Sequence, residues 1–183
     1  MGLKDAKKYI SDLHRRQDDP LLWPDYLTGL PNAHAIIKIV KDAYPKLGKY
    51  AIAYICIADV NTYLIKYGSD RHAEIIQWAA AILKTTADSH NCFVGSSKSH
   101  DFVAVGRKQD VNNLLGDASR LFGRKVKSFY GEKDLSRKSV LSFVSDGKEV
   151  NMGLMRLAYS VIDSRTEIPR EEILAYLEES CLA

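Results

Sequence analysis

At 183 residues, with 46% hydrophobic and 27% charged residues, the chain is long enough to bury one substantial core and has an ordinary globular composition. Its 26 Lys and Arg against 23 Asp and Glu leave +3, too little to argue for DNA or a membrane surface as partner. No run approaches the roughly 18 apolar residues of a membrane span. Three cysteines, Cys56, Cys92 and Cys181, are odd in number and lack metal-ligand spacing, which fits a reducing cytoplasm.

The first element is a helix carrying Leu3, Ala6, Ile10 and Leu13 on one narrow seam with Lys and Arg between them. Two turns of seam do not hold alone. It packs on its own domain, makes a homodimer contact, or continues a signalling helix from an upstream sensor. The opening residues have no apolar signal region, and Ala6 fails the Ser/Thr wanted for myristoylation. Prolines at 20 and 24 end this element, so residues 1–22 read as helix and linker and 23–183 as the main domain.

Asn32 can cap a helix running to about residue 47. Residues 50–58 form an almost unbroken apolar run, a strand buried on both faces. Gly68 and Ser69 open a long helix with Ile75, Ile76, Ala79, Ile82 and Leu83 on one side. Residues 92–95 and 102–105 are strands of a hairpin, followed by a helix over 109–130. A second hairpin turns at Asp146-Gly147, a strong turn dipeptide. Residues 157–162 make the last strand, and Pro169 starts the closing helix.

The stretch Asp25, Tyr26, Leu27, Thr28, Gly29, Leu30, Pro31 and Asn32 resembles the entry signature of GGDEF domains. Phe93-Val94-Gly95 followed by Asp101-Phe102-Val103 resembles the hairpin flanks of one subgroup of that family, and Tyr63 with Tyr67-Gly68 recurs at its spacing. The resemblance covers roughly residues 23–163. It implies an α/β fold, with a palm-like central mixed, mostly antiparallel sheet flanked by helices. It also implies descent from diguanylate cyclases, which join two GTP molecules into cyclic di-GMP.

Aligned on that signature, the positions of the family's chemistry hold other residues. Divalent metal would be needed to neutralise the triphosphates, and hard cations want carboxylate oxygens. The strand aspartate and the acid two residues on correspond to Cys56 and Ala58. The GGDEF turn reads Lys98, Ser99, His100, Asp101 and Phe102, which puts His100 at the metal-binding third letter. Cys56 and His100 are poor partners for Mg²⁺, and two ligands are too few for Zn²⁺. The guanine-reading positions look like Leu64 and Ala73, neither able to hydrogen-bond a purine edge. Phosphate contacts from the final helix map near Glu178 and Leu182. The product-inhibition pair falls at Ser89 and Cys92. A one-residue slip would leave Asp59 and Asp101 as weak metal candidates, although such a slip turns a strand residue to the opposite face.

Outside the turn, His34, His72 and His90 read as surface or capping residues. Arg120, Arg124, Lys125, Lys127, Arg137 and Lys138 read as a solvated face, or as the mark of an anionic partner. Three functions follow. The first is a catalytically inactive signalling domain working through a protein partner or upstream sensor, with no cofactor. The second is a receptor that keeps a nucleotide in the former substrate cleft, lined by Lys98, His100 and Asp101. The third is an active diguanylate cyclase with unusual residues.

Overall fold

The computed structural model describes residues 6–8, 10–11, 24–145 and 148–182. Of the amino-terminal seam, Ala6 and Ile10 are described and helical, and both are exposed. Leu3, Leu13 and the linker lie outside the described residues, as does the Asp146-Gly147 turn.

Helix α1 (Ala33–Ala43) begins where expected, because the Asn32 side chain accepts hydrogen bonds from the amides of His34 and Ala35. It buries Ile36, Val40 and Ala43, one stripe at helical spacing, and passes into a 3-10 turn at Tyr44–Lys46. Strand β1 (Tyr50–Ala58) is buried along its length, as its apolar run implies. Its alternating side chains feed two cores. Ala51, Ala53, Ile55 and Ile57 face the larger one, Ile52 and Tyr54 the smaller.

Helix α2 (Val60–Tyr67) has no sequence forecast behind it, and the long helix α3 starts at His72 rather than Gly68 (His72–Ser89). Asn61, Thr62 and Tyr63 are weak helix formers, so tertiary packing has to make α2. Tyr63 stacks on Tyr67 at 4.9 Å and meets Tyr130 edge-on at 5.4 Å. Gly68, at φ +81°, ends the helix by donating its amide to the Leu64 carbonyl.

Strands β2 (Phe93–Lys98) and β3 (Asp101–Arg107) form the first hairpin, and α4 (Lys108–Lys125) with a 3-10 turn at Val126–Phe129 fills the forecast helix. A short α5 (Glu132–Arg137) follows, again unforecast. The second hairpin, β4 (Leu141–Ser145) with β5 (Lys148–Met152), stands as its own two-stranded sheet. Strand β6 (Arg156–Ile162) returns to the main sheet. The closing helix α6 (Ile173–Leu182) starts four residues later than expected, because Pro169–Glu172 forms a turn whose carbonyls accept from Glu172 and Ile173.

The main sheet has the order β2-β3-β1-β6. Every pairing among these described strands is antiparallel, in keeping with the mostly antiparallel sheet flanked by helices expected from sequence. Helices α3 and α4 cover one face and build the larger core; α1 and α6 cover the other. Among the described residues, no helix is long and apolar enough to cross a membrane.

Candidate functional site

The signature stretch is a self-contained turn. One carboxylate oxygen of Asp25 accepts from the amides of Leu27 (3.1 Å) and Thr28 (2.8 Å) and from the Thr28 hydroxyl (2.8 Å). The Thr28 hydroxyl in turn accepts from the Leu30 amide at 3.2 Å. Gly29 sits at φ +70°, a conformation that suits glycine, and Leu30 is buried. The turn is moored to the hairpin, since the Ser96 amide donates to the Pro31 carbonyl at 2.8 Å. Gly95 permits this approach: a Cβ there would lie 2.6 Å from Ile36 Cγ1 and 3.0 Å from the Pro31 oxygen.

At the end of β1 the alternation puts Cys56 on the side covered by α6. Cys56 is 2% exposed, and its sulfur lies 3.1 Å from that of Cys181. Burial, reinforced by the second thiol, pushes the Cys56 thiol from its ordinary 9.0 up to about 12. Ala58 lies two residues on, half-buried, opposite Arg156. Asp59 leaves the strand at φ +61° and starts α2, its side chain making no capping bond.

Asp101 stands across from Cys56 in the β1–β3 register. It is 9% exposed and accepts the Tyr54 hydroxyl at 2.9 Å. Burial, followed by this bond to a carboxylate, raises the Tyr54 phenol well above its usual range. Phe102 points to the other face and is fully buried in the larger core. Lys98 ion-pairs with Glu178 of α6. Two positions read separately from sequence, the first letter of the turn and a former phosphate contact, are therefore partners. At the tip, the His100 carbonyl accepts the Ile57 amide, and its ring lies 6.4 Å from that of His72. His72 Nε2 is buried without a hydrogen-bond partner among the described residues.

A cavity of about 290 Å³ opens between the signature turn and the hairpin, lined by Asp25, Tyr26, Leu27 and Ser96, Ser97, Lys98 and Ser99. It gathers Asp25, Leu27, Lys98 and Ser99 but not Cys56, Leu64, Ala73, His100 or Asp101. Of Lys98, His100 and Asp101, only Lys98 lines this cavity; Asp101 belongs to β3's inward face and serves Tyr54. Leu64 packs against the larger core and Ala73 is exposed. Among the described residues, no three of His, Cys, Asp or Glu are placed to hold a metal ion. Ser89 donates to the Thr85 carbonyl within α3, and Cys92 nestles against Gly106, where a Cβ would meet its sulfur at 2.6 Å.

Tyr54, the pairing of Lys98 with Glu178, the contact of Cys56 with Cys181 and the approach of His72 to His100 escaped the sequence. Only Tyr54 left a signal there, since it lies two residues before Cys56 on the same strand face.

No family model matches the sequence, and no curated protein matches it. Solved structures do. The coiled coil and GGDEF domain of DgcB from Caulobacter crescentus, in complex with c-di-GMP, matches with TM-score 0.61 at 13% identity, over 98% of this chain and 90% of that one. The diguanylate cyclase SiaD from Pseudomonas aeruginosa, in complex with its activator SiaC, matches with TM-score 0.61 at 13% identity, over 98% of this chain and 63% of SiaD. The S helix-GGDEF-EAL segment of Vibrio cholerae LapD, bound to c-di-GMP, matches with TM-score 0.60 at 10% identity, over 98% of this chain and 37% of that segment. With the signature turn, the antiparallel sheet and the hairpin in register, the chain has the fold of GGDEF domains.

Proposed function

We propose that this chain is a catalytically inactive GGDEF domain that acts in cytoplasmic cyclic di-GMP signalling by contacting another protein. One observation carries the proposal: Cys56, which the signature's alignment frame sets at the family's strand aspartate, is a thiol sealed between β1 and α6 beside Cys181. A protonated, buried sulfur cannot offer Mg²⁺ the hard oxygen that neutralises a triphosphate. The nearest carboxylate across the strand pair, Asp101, is already committed to Tyr54. In phosphoryl chemistry the protein contributes mainly positioning and electrostatics, so losing the anchors for metal, base and phosphate together removes what the fold would supply. SiaD, which shares the fold, is held in complex with a protein activator, a precedent for regulation by protein contact.

The test is to incubate purified protein with GTP and Mg²⁺ or Mn²⁺ and to assay for cyclic di-GMP. The expected result is no product above a protein-free blank; sustained product formation would overturn the proposal.

The cavity beside the signature turn supports a second reading, a nucleotide receptor. Against it, the Lys98 charge is occupied by Glu178. Titrating GTP and cyclic di-GMP, with and without Mg²⁺, separates the two, since saturable micromolar binding belongs to the receptor alone.

A further inference from the structure

The chain's positive charge is concentrated in one place. Residues 118–141 hold seven Lys or Arg against two Asp or Glu, a net of +5, whereas the whole chain carries +3. The end of α4, the 3-10 turn and α5 bring this segment together. Part of the charge is spent internally: Arg120 pairs with Asp117, and Lys125 lies over the Trp78 ring at 4.0 Å. Asp134, one of the two acids, is buried and neutralised. It accepts the Lys66 ammonium at 2.6 Å and the Tyr67 hydroxyl at 2.5 Å, which hold its carboxyl below the usual range. Lys66 also donates to the Val140 carbonyl at 2.8 Å.

Arg124, Lys127, Lys133, Arg137 and Lys138 remain exposed and form no ion pair with a described residue, and three of them, Lys127, Arg137 and Lys138, line cavities. Arg137 and Lys138 line a cavity of about 500 Å³, with Lys66, its partner Asp134, Asn151 and Val140 among its walls. Lys138 takes φ +53° after the last turn of α5. A second cavity of about 410 Å³ shares Lys138 and is walled by Lys127, Leu135 and Leu154. Both volumes fall in the range of small-molecule sites, roughly 300–1,000 Å³. Among the described residues, neither shares a lining residue with the cavity at the signature turn.

We infer that this double cleft binds an organic phosphate, with its phosphate between Arg137 and Lys138 and its apolar body over Leu135 and Leu154. The guanidinium offers a planar fork of donors to an oxyanion, and the lysine adds a point charge. The Asn151 amide supplies a neutral donor. Asp134, its charge met by Lys66, does not repel the anion. An inorganic ion would leave the leucine-walled half empty, so the site distinguishes a phosphate ester from free phosphate. The site is independent of the GTP chemistry and stands or falls separately from the proposal of an inactive domain.

The experiment is calorimetric titration of the full chain with phenyl phosphate and with inorganic phosphate, in chelator to exclude divalent metal. Phenyl phosphate should bind saturably and more tightly than inorganic phosphate. The double variant Arg137→Gln/Lys138→Gln should weaken it by about tenfold or more, the loss of at least one charge-assisted contact. Leu154→Ser should narrow the gap between the two probes. Lys98→Gln, at the other cavity, should leave binding unchanged. Because Arg137, Lys138 and Lys98 are exposed, thermal melts should confirm that these variants fold. No saturation by either probe up to about 10 mM, equal affinity for both, or undiminished binding by the double variant would each overturn the inference.

Discussion

The signature turn and the hairpin tip lie side by side, joined by the bond from Ser96 to Pro31, yet they are built on opposite principles. In the turn, Asp25, Thr28, Gly29 and Asn32 each satisfy a backbone need within a few residues of themselves. At the tip, Cys56, Lys98 and Asp101 are each engaged by a residue far along the chain: Cys181, Glu178 and Tyr54. A turn residue that caps and closes the backbone has work to do whatever the domain's chemistry. A tip residue has structural work only if packing assigns it some, and here α6 assigns it to Cys56 and Lys98 and β1 to Asp101.

This contrast can be broken, most forcefully at Cys56. Cys56→Asp restores the family's residue type but buries a carboxylate between β1 and α6, beside Asp101. It should cost about 3–5 kcal/mol of unfolding free energy in urea, as buried uncompensated charge does, and restore no cyclase activity. Stable, active Cys56→Asp protein would show that the tip is a cyclase site awaiting one residue. The wild-type thiol has a matching signature in pH. Its folded value, about 12, exceeds its ordinary 9.0, so the folded state keeps a proton that the unfolded chain releases. That contribution is complete below pH 9 and is lost as pH rises toward 12. Urea midpoints measured at pH 8 and pH 10.5 should fall less in Cys56→Ser than in wild type.

Asp25→Ala tests the local half of the comparison. It leaves the Leu27 and Thr28 amides and the Thr28 hydroxyl without their acceptor, and should cost about 2 kcal/mol by the same measurement. Asn32→Ala removes only the cap of α1 and should cost about 1 kcal/mol. The smallest effect belongs to Lys98→Ala. Its ion pair with Glu178 is largely exposed, so the loss should stay below about 1 kcal/mol. A larger loss there would mean that the tip depends on α6 more than solvent screening allows.

How much could be read before the structure follows the same division. The α1 cap, the β1 run and both hairpins are legible because caps, turns and apolar periods are short-range patterns. Helix α2 is not, since Asn61, Thr62 and Tyr63 argue against a helix and only the aromatic packing of Tyr63 on Tyr67 and Tyr130 supplies one. That Cys56, Ala58 and His100 carry no carboxylate is plain in the sequence. That Asp101 is sequestered is not, because its hydrogen bond depends on Tyr54 lying on the same face of a neighbouring strand, 47 residues away. The two clefts around Lys138 were visible only as a surplus of basic residues, and their walls come from α2, α5 and β5 together.

By itself, then, the order of amino acids settled the turn, the capped first helix and the doubly buried central strand, all of which rest on residues within a turn or two of one another. Tertiary structure decided that Cys56 meets Cys181 across 125 residues, that Lys98 answers Glu178 across 80, and that the leftover cations line a cleft. The physical reason is range. Backbone hydrogen bonding and periodic burial are local rules, whereas thiol contacts, ion pairs and cavities exist only after separate elements have packed.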